Sequence, residues 1–479
     1  MIKSRGLERC VAPARYAFQP GSLGLLSFFI GLAAFLVAIL ALVSLHELGH
    51  LVVAVLCGVK VKRFCIGFGE PFWSKKWKGI EWCLSPLPLG GYVSMLDGRD
   101  ATETIPEEDL PRAFDRQSPL KKMAIVLAGP LTNLVLAVAL YFAAAYGYGV
   151  DKIRPLVGTV IPQTIAQRAG FQPDDRIESV NGEKVEDFVQ AMTSIAMSFE
   201  AGDVTIAVTD AAGQKQNRVI DREAEREAIA SVVRGGAILG ITPSRLLPVI
   251  AEVEKGSPAE RAGLRPGDRV VEVDGKPVES WLTMQSAIRS SPGVLMRLEV
   301  ERDGKALSLN LRPESREFER YKPLAGYAGI VPQADAEFAR SARRTEHPGF
   351  AGAWAEGARQ TAKFSAMTLS FIGKLFVGDA SMANLSGPVT IADLAGKTAS
   401  IGLKSYLEFL ALVSVSLGVL NLFPIPVLDG GQFCYFLYEW VRGKPLSLKT
   451  QLLGFKIGWA LMMGLMVIAI YNDMIRLFG

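Results

Sequence analysis

Residues Leu23 to His50 read LGLLSFFIGLAAFLVAILALVSLHELGH. The first 23 of them, through Leu45, carry no charge and exceed the roughly 20 residues that cross a hydrocarbon core as helix. The run is longer than a signal-peptide core and no A-x-A cleavage signal follows it, so a retained membrane span is expected. Working outward, Met123 to Val150 gives 28 uncharged residues, Phe409 to Leu428 gives 20, and Ile457 to Asn472 gives 16, which reach spanning length only with their flanks. Four transmembrane helices are therefore predicted.

Composition agrees. The chain has 479 residues, 49% hydrophobic and 21% charged, with a mean hydropathy of +0.25, which excludes a disordered protein and leaves room for about three folded units. Its net charge of +4, from 52 basic and 48 acidic residues, offers no field for gripping a phosphate backbone, so no nucleic-acid partner is expected. The five cysteines lie at 10, 57, 65, 83 and 434, so the long middle region has none and cannot rest on disulfides. Basic residues near span ends set orientation. Lys60, Lys62, Arg63, Lys75, Lys76, Lys78, Lys121 and Lys122 between spans one and two, and Arg442, Lys444 and Lys449 between spans three and four, place both loops in the cytoplasm and the middle region outside. Lys3, Arg5, Arg9 and Arg15 dissent, because they would keep the N-terminus inside.

The middle region contains a repeat. Ala166-Gln-Arg-Ala-Gly-Phe-Gln-Pro-Asp-Asp-Arg-Ile-Glu-Ser-Val-Asn-Gly182 recurs 93 residues later as Ala259-Glu-Arg-Ala-Gly-Leu-Arg-Pro-Gly-Asp-Arg-Val-Val-Glu-Val-Asp-Gly275. Each copy reads as a short helix ending at glycine, then a strand entering an Asn-Gly or Asp-Gly turn. The pattern resembles the PDZ domain. Leu239-Gly240-Ile241 and Ala328-Gly329-Ile330 follow the two copies like the carboxylate-binding loop of bacterial PDZ domains, and their place after the repeat suggests the circularly permuted form. The resemblance implies binding of extended peptides such as exposed C-termini, with Ile241 and Ile330 at the binding loops. A pair of small structural domains without ligand is the alternative reading.

Two of the chain's three histidines stand in His46-Glu47-Leu48-Gly49-His50. Residues four apart share a helix face, so both imidazoles can reach one zinc ion, and Glu47 beside them is placed to take a proton from water. The alternative, two ordinary helical histidines, does not explain a glutamate at the end of an apolar span, where ionisable groups are costly and usually functional. Catalytic zinc takes a third protein ligand and keeps one position open. Asp429 is the candidate, at the end of span three in Asn421-Leu-Phe-Pro-Ile-Pro-Val-Leu-Asp-Gly430. Pro424 and Pro426 break the helix there, while Gly430 and Gly431 permit a tight backbone. Read alone, Asp429 is equally a helix-end carboxylate in water.

The HExxH, the Asn-x-x-Pro-x-Pro-x-x-Asp-Gly element and the paired PDZ-like repeats together resemble the site-2 protease family, in particular its proteobacterial regulator of sigma-E protease branch. The resemblance implies one zinc ion per chain on His46, His50 and Asp429, Glu47 as general base and Asn421 as a polar group near the reacting carbonyl. Gly129-Pro-Leu-Thr-Asn133 matches the family's G-x-x-x-N element, whereas Gln432 stands where the branch commonly has histidine. Asn384-Leu-Ser-Gly-Pro388 also matches a family element, with no chemical role evident from sequence. A spanning helix hides its carbonyls, so its cleavage requires local unwinding. In the family a re-entrant β-sheet holds the unwound segment, which implies substrate contact at Gly67, Phe68 and Gly69 and at Gly90, Gly91 and Tyr92.

The fold expected is a polytopic α-helical membrane protein of about four transmembrane helices, with a membrane-associated β-hairpin or sheet and two tandem, circularly permuted PDZ domains of α+β type. Its divisions are an extension at 1–22, span one at 23–56, the β segment at 57–122 and span two at 123–150. The repeats follow at 151–245 and 246–335, then a linker with an amphipathic helix at 336–405, span three at 406–436, a cytoplasmic loop at 437–452 and span four at 453–475. Within the linker, Phe364, Met367, Phe371 and Leu375 recur at helical spacing, as an interfacial or a plain packing helix would. The resemblance implies a zinc-dependent intramembrane endopeptidase in a bacterial inner membrane. Its substrates would be single-span proteins of the anti-sigma-factor type, or remnant signal peptides, already trimmed by another protease during the envelope stress response. The rival reading is a non-catalytic PDZ-bearing scaffold that senses envelope proteins.

Overall fold

The computed structural model describes residues 25–99, 105–199, 201–233, 239–318, 321–377 and 385–478, and these form two compact units, Asp151–Glu346 and the described chain on either side of it. The extension at 1–22 with its basic residues, and Asn384, lie outside the described residues.

Among the described residues the flanking unit holds seven long helices: α1 (Leu25–Leu56), α2 (Pro119–Tyr148), α3 (Phe350–Val377), α4 (Pro388–Ile401), α5 (Leu403–Asn421), α6 (Asp429–Arg442) and α7 (Leu448–Phe478). Four helices among the described residues, α1, α2, α5 and α7, are long and apolar enough to cross a membrane. Helix α2 starts on a proline, where the missing N–H costs nothing, and closes at Gly149 with φ of 78°, whose N–H bonds Ala145 O. It packs against α1, α3, α5 and α6. Small residues make that possible. A Cβ at Gly49 of α1 would stand 2.7 Å from Ala128 O, one at Gly357 of α3 2.6 Å from Val138 O, and one at Gly418 of α5 3.0 Å from Pro130 O.

One boundary differs from the sequence expectations, and two readings left open there become definite. The apolar run Phe409 to Leu428 is not one span, because α5 ends at Asn421 and Asp429 opens α6 after a loop that Pro424 and Pro426 keep out of helix. The linker helix is a 28-residue packing helix. Phe364 stacks on Tyr141 at 6.0 Å and Thr361 and Ile372 are buried, while Met367 faces away from this stripe. Span four is longer than its uncharged run, because Asp473 is only 1% exposed and has a structural partner. Its carboxylate accepts from the N–H groups of Gly387, Val389 and Thr390 at 2.9 to 3.2 Å and so caps the start of α4, while Asn472 donates to Leu385 O. The Leu-Ser-Gly-Pro element thus shapes a helix N-terminus that α7 holds.

Between α1 and α2 lies a four-stranded sheet of β1 (Val61–Phe68), β2 (Trp73–Trp77), β3 (Ile80–Leu84) and β4 (Leu87–Met95), in the order β2-β3-β1-β4. Strands β3 and β4 are separated by Ser85 and Pro86. Strand β1 runs parallel to β3 and antiparallel to β4, so β4 is an edge. Phe64 and Val61 pack with Leu51 and Ala54 of α1 and Ile125 of α2.

In the other unit each repeat copy builds its own core, one over Val157 to Ile241 and one over Ile250 to Ala328. Asn181-Gly182 and Asp274-Gly275 all take positive φ, as a type I′ hairpin turn requires. In both copies the final short strand pairs with the first: Ile241 with Val160, and Ile330 with Val253. The aspartate of the repeat is wholly buried twice, Asp175 against Arg218 at 2.9 Å and Asp268 against Arg302 at 2.6 Å, with the two arginines supplied from different strands of the hairpin. Removing one partner strands a buried charge. Arg218→Met should therefore destabilise the first copy by about 3–5 kcal/mol, read as an earlier unfolding transition and faster proteolysis within 151–245.

Candidate active site

Helix α1 carries His46 and His50 on one face, both about 8% exposed, and α6 brings Asp429 to them from the far end of the chain. After Asn421 the backbone makes tight turns, with Leu428 N bonded to Ile425 O at 2.8 Å and Gly431 N to Leu428 O at 3.0 Å. A Cβ at Gly430 would lie 2.2 Å from Leu422 O, and one at Gly431 2.2 Å from Ile425 O, so only glycine lets the loop fold on itself. Asp429 then sits in the first turn of α6, where the N-terminal dipole favours a carboxylate.

The two imidazole Nε2 atoms are 3.3 Å apart, and Asp429 Oδ2 is 3.2 Å from that of His46 and 3.6 Å from that of His50. Ligands at about 2.0–2.1 Å from a tetrahedral zinc ion stand about 3.3–3.4 Å from one another. The triangle therefore fits zinc, and the donor set of two imidazoles and a carboxylate is one that zinc accepts. Helix α2 closes over it. A Cβ at Gly129 would stand 2.3 Å from His50 Nε2 and 2.8 Å from His46 Cε1, so glycine is required where α2 passes the ligands.

Each histidine is also held from behind. His50 Nδ1 donates to Ile125 O at 2.8 Å, which leaves Nε2 free to ligate. His46 Nδ1 faces the side-chain amide of Asn133 at 3.2 Å, and Asn133 is 1% exposed with an amide oxygen that has no partner. Turning the amide by 180° places that oxygen on Nδ1–H and fixes the same tautomer as in His50. Ser414 Oγ donates to Asn133 O at 2.7 Å and ties α5 to this point.

A cavity of about 240 Å³ opens beside the triangle, lined by Val43, His46, Glu47, Gly90, Gly91, Asn133, Leu417, Asn421, Val427, Leu428 and Asp429. Glu47, Asn421, Gly90 and Gly91 thus meet His46 and Asp429, two of the three candidate ligands. Gly67, Phe68, Gly69 and Tyr92 do not line it. The Phe68 ring covers Gly90, where a Cβ would come within 2.2 Å of it, while Gly67 is pressed against Ser85 O and Tyr92 lies beside Arg63. Gln432 is exposed on α6 and outside the lining. Ile241 is in the core of the first repeat copy, and Ile330 packs half-buried on that of the second. Sequence reading had no role for Gly129 and Asn133. The usable signal was an amide within a 28-residue uncharged run, where a polar side chain needs a partner.

A family model described as peptidase family M50 matches residues 34–465. A relative in Neisseria meningitidis, whose name places it among zinc metalloproteases, is 50% identical over 448 residues, covering 94% of this chain and 99% of its own. The regulator of sigma-E protease RseP of Escherichia coli K12 is 38% identical over 462 residues, 95% of this chain and all of its own. Among solved structures, the PDZ domain of an SdrC-like protein from Listeria innocua aligns with 22% of this chain and 99% of its own at 17% identity, with a TM-score of 0.16 that carries no weight.

Asn133→Ala should weaken zinc binding about 10–100-fold by freeing the His46 ring, and Gly129→Ala should weaken it further by displacing His50. Competition with a chromogenic chelator measures both.

Proposed function

Because the chain belongs to peptidase family M50, the site-2 proteases, we propose that it is a zinc-dependent intramembrane endopeptidase cutting single-span membrane proteins. One observation carries this: the His46-His50-Asp429 triangle opens through His46 and Asp429 on a cavity that the Glu47 residue and the β4 edge at Gly90 and Gly91 also line, among helices of membrane-spanning length. A zinc ion bound there would acidify a water and polarise the scissile carbonyl. Glu47 accepts the water's proton and returns it to the leaving amide nitrogen. Asn421, at the end of α5, donates its amide to the carbonyl oxygen as charge develops. Asn133 and Ile125 O hold the two imidazoles in register through the cycle.

Strand β4 receives the substrate. Its partner β1 occupies one edge, and Gly90 and Gly91 bring the other to the cavity without side chains between. An unwound substrate segment pairs there as an added strand, which exposes the carbonyls that its helix hid. Phe68 and Gly67 support this edge, and Tyr92 aligns it through Arg63.

The two repeats are permuted PDZ domains in this reading, supported by the pairing of first and last strands in each copy. They recognise exposed C-termini at Ile241 and Ile330 and exclude untrimmed substrates by bulk, which makes the enzyme the second protease in a sequence. The lysine-rich loops put the zinc site on the cytoplasmic side and the repeats in the periplasm of a bacterial inner membrane. Relatives named regulators of sigma-E support substrates of the anti-sigma-factor type.

Glu47→Gln should retain zinc and abolish cleavage of a tagged single-span protein, whereas His46→Ala or Asp429→Ala should lose both. Metal analysis and immunoblotting separate the cases, and full cleavage by Glu47→Gln overturns the reading. Topology is tested in intact cells with an impermeant thiol reagent. It should modify a cysteine at Lys255, which is exposed, and spare Cys434; Cys65 and Cys83 are too buried to report. Deleting 158–333 should let untrimmed substrate be cut if the repeats exclude by size; loss of cleavage of trimmed substrate instead shows docking.

A further inference from the structure

Each repeat copy carries a proline just past its glycine-isoleucine loop, in Ile241-Thr242-Pro243 and in Ile330-Val331-Pro332. Behind each loop the carbonyls are taken. Leu239 O and Gly240 O accept from the N–H groups of Ala166 and Ile161 at 3.0 and 2.7 Å, and Ala328 O and Gly329 O accept from those of Ala259 and Glu254, both at 2.9 Å. A trans peptide unit turns its N–H opposite to its C=O. The N–H groups of Gly240, Ile241, Gly329 and Ile330 therefore point the other way, to the open side of the loop, and neither glycine N–H has an acceptor among the described residues. Both glycines take positive φ, and a Cβ would collide with Thr164 at the first and with Ser257 at the second.

The same reasoning fixes the side that the prolines face. Thr242 O accepts from Gly158 N at 2.8 Å, so the nitrogen of Pro243 points away from the partner strand, and the strand ends there in a bend. In the second copy Pro332 stands opposite Ile250. Ile250 N donates to Asp268 O at 2.9 Å and Ile250 O accepts from Gly267 N at 2.8 Å, so Ile250 is turned from Pro332 toward its other neighbour. Facing residues of an antiparallel pair either bond each other or both turn away, and Pro332 therefore also turns its nitrogen to the open edge. A strand added on that edge would bring a carbonyl oxygen to about 2.9 Å from this nitrogen. Proline offers no N–H there and sets its ring in the path.

We propose that each repeat holds a peptide by its last residue alone, with the terminal carboxylate on the N–H groups of Gly240 and Ile241 or of Gly329 and Ile330, and that Pro243 and Pro332 stop the preceding residues from adding as a strand. The last side chain is apolar, since Ile241 belongs to the core of the first copy and Ile330 is half-buried on the core of the second, as Leu282 and Ala287 are. The inference deepens the reading of the repeats as PDZ domains and rests on it. Strand addition reads several residues through alternate side chains, whereas capture of one residue reads only that a chain ends there. The class of reaction that supplies such a ligand is endoproteolysis, which leaves a new carboxylate whatever sequence precedes it.

The test uses full-length protein in lipid nanodiscs and N-acetylated peptides of two, four and eight residues, with Ser and Thr before a last residue of Ala, Val, Leu or Phe. Saturation-transfer NMR titration reads the binding, which is weak for so small a contact. Peptides with a preferred ending should bind with a Kd that is the same at all three lengths. Amidating the terminus should remove binding, and N-methylating the third residue from the end should change nothing. In the double change Pro243→Ala and Pro332→Ala an N–H faces the edge, so the eight-residue peptide should gain about fivefold over the two-residue one and lose that gain on N-methylation. A limited-proteolysis pattern over 151–346 like that of the parent shows that the variant is folded. Affinity that climbs with length in the parent, or falls there on N-methylation, overturns the proposal and leaves the PDZ reading in place. So does a folded double variant that gains nothing with length. If no peptide with a free carboxylate binds the parent, or amidation makes no difference, the PDZ reading itself fails and the proposal falls with it.

Discussion

The close passage of α2 over the histidine pair is the contact on which the rest depends. In a bilayer no hydrophobic force drives helices together, so packing has to come from surface fit and from polar groups that find partners. Here glycines on α1, α3 and α5 let each neighbour press its backbone onto a carbonyl of α2. The same closeness, at Gly129, brings α2 within contact of both imidazoles. Enlarging Gly129 would both part the helices and push on the imidazoles.

That contact explains the division of labour along α2. Ile125 gives a carbonyl to His50, Gly129 gives space, and Asn133 gives an amide to His46, at successive four-residue steps along one face. Lys122, three residues before Ile125, pairs with Glu439 of α6 at 3.0 Å in a largely buried ion pair. The helix that begins with Asp429 is therefore tied to α2 as well as to the metal triangle. Lys122 serves here as a structural group, although its charge also counts toward orientation.

Several buried polar groups within the apolar unit are matched across helices. Asp473 satisfies the open N–H groups of α4, Ser414 the carbonyl of Asn133, and Tyr406 the carbonyl of Ala34 at 2.7 Å. Unmatched groups in this setting cost several kcal/mol. The edge of β4 at the cavity has no partner strand among the described residues, and a substrate strand completes it in the proposed reaction.

The linear sequence determined the classes of structure. Uncharged runs pointed to helices of membrane-spanning length, the repeat at 93 residues to two similar domains, and His-Glu-x-x-His with Asp429 to a candidate metal site, because each is a local pattern with a local physical cause. Tertiary structure decided what depends on approach between distant segments. That α5 stops at Asn421, that Gly129 is a cradle, that Asn133 has a histidine to hold and that Asp473 caps a helix 83 residues earlier are all contacts across the bundle. The order β2-β3-β1-β4 is of the same kind, since a parallel pairing of β1 with β3 leaves no periodic mark in the residues. It alone determines which edge meets the zinc site and which carries the tryptophans, because strand alternation fixes a side chain's face but not its neighbour.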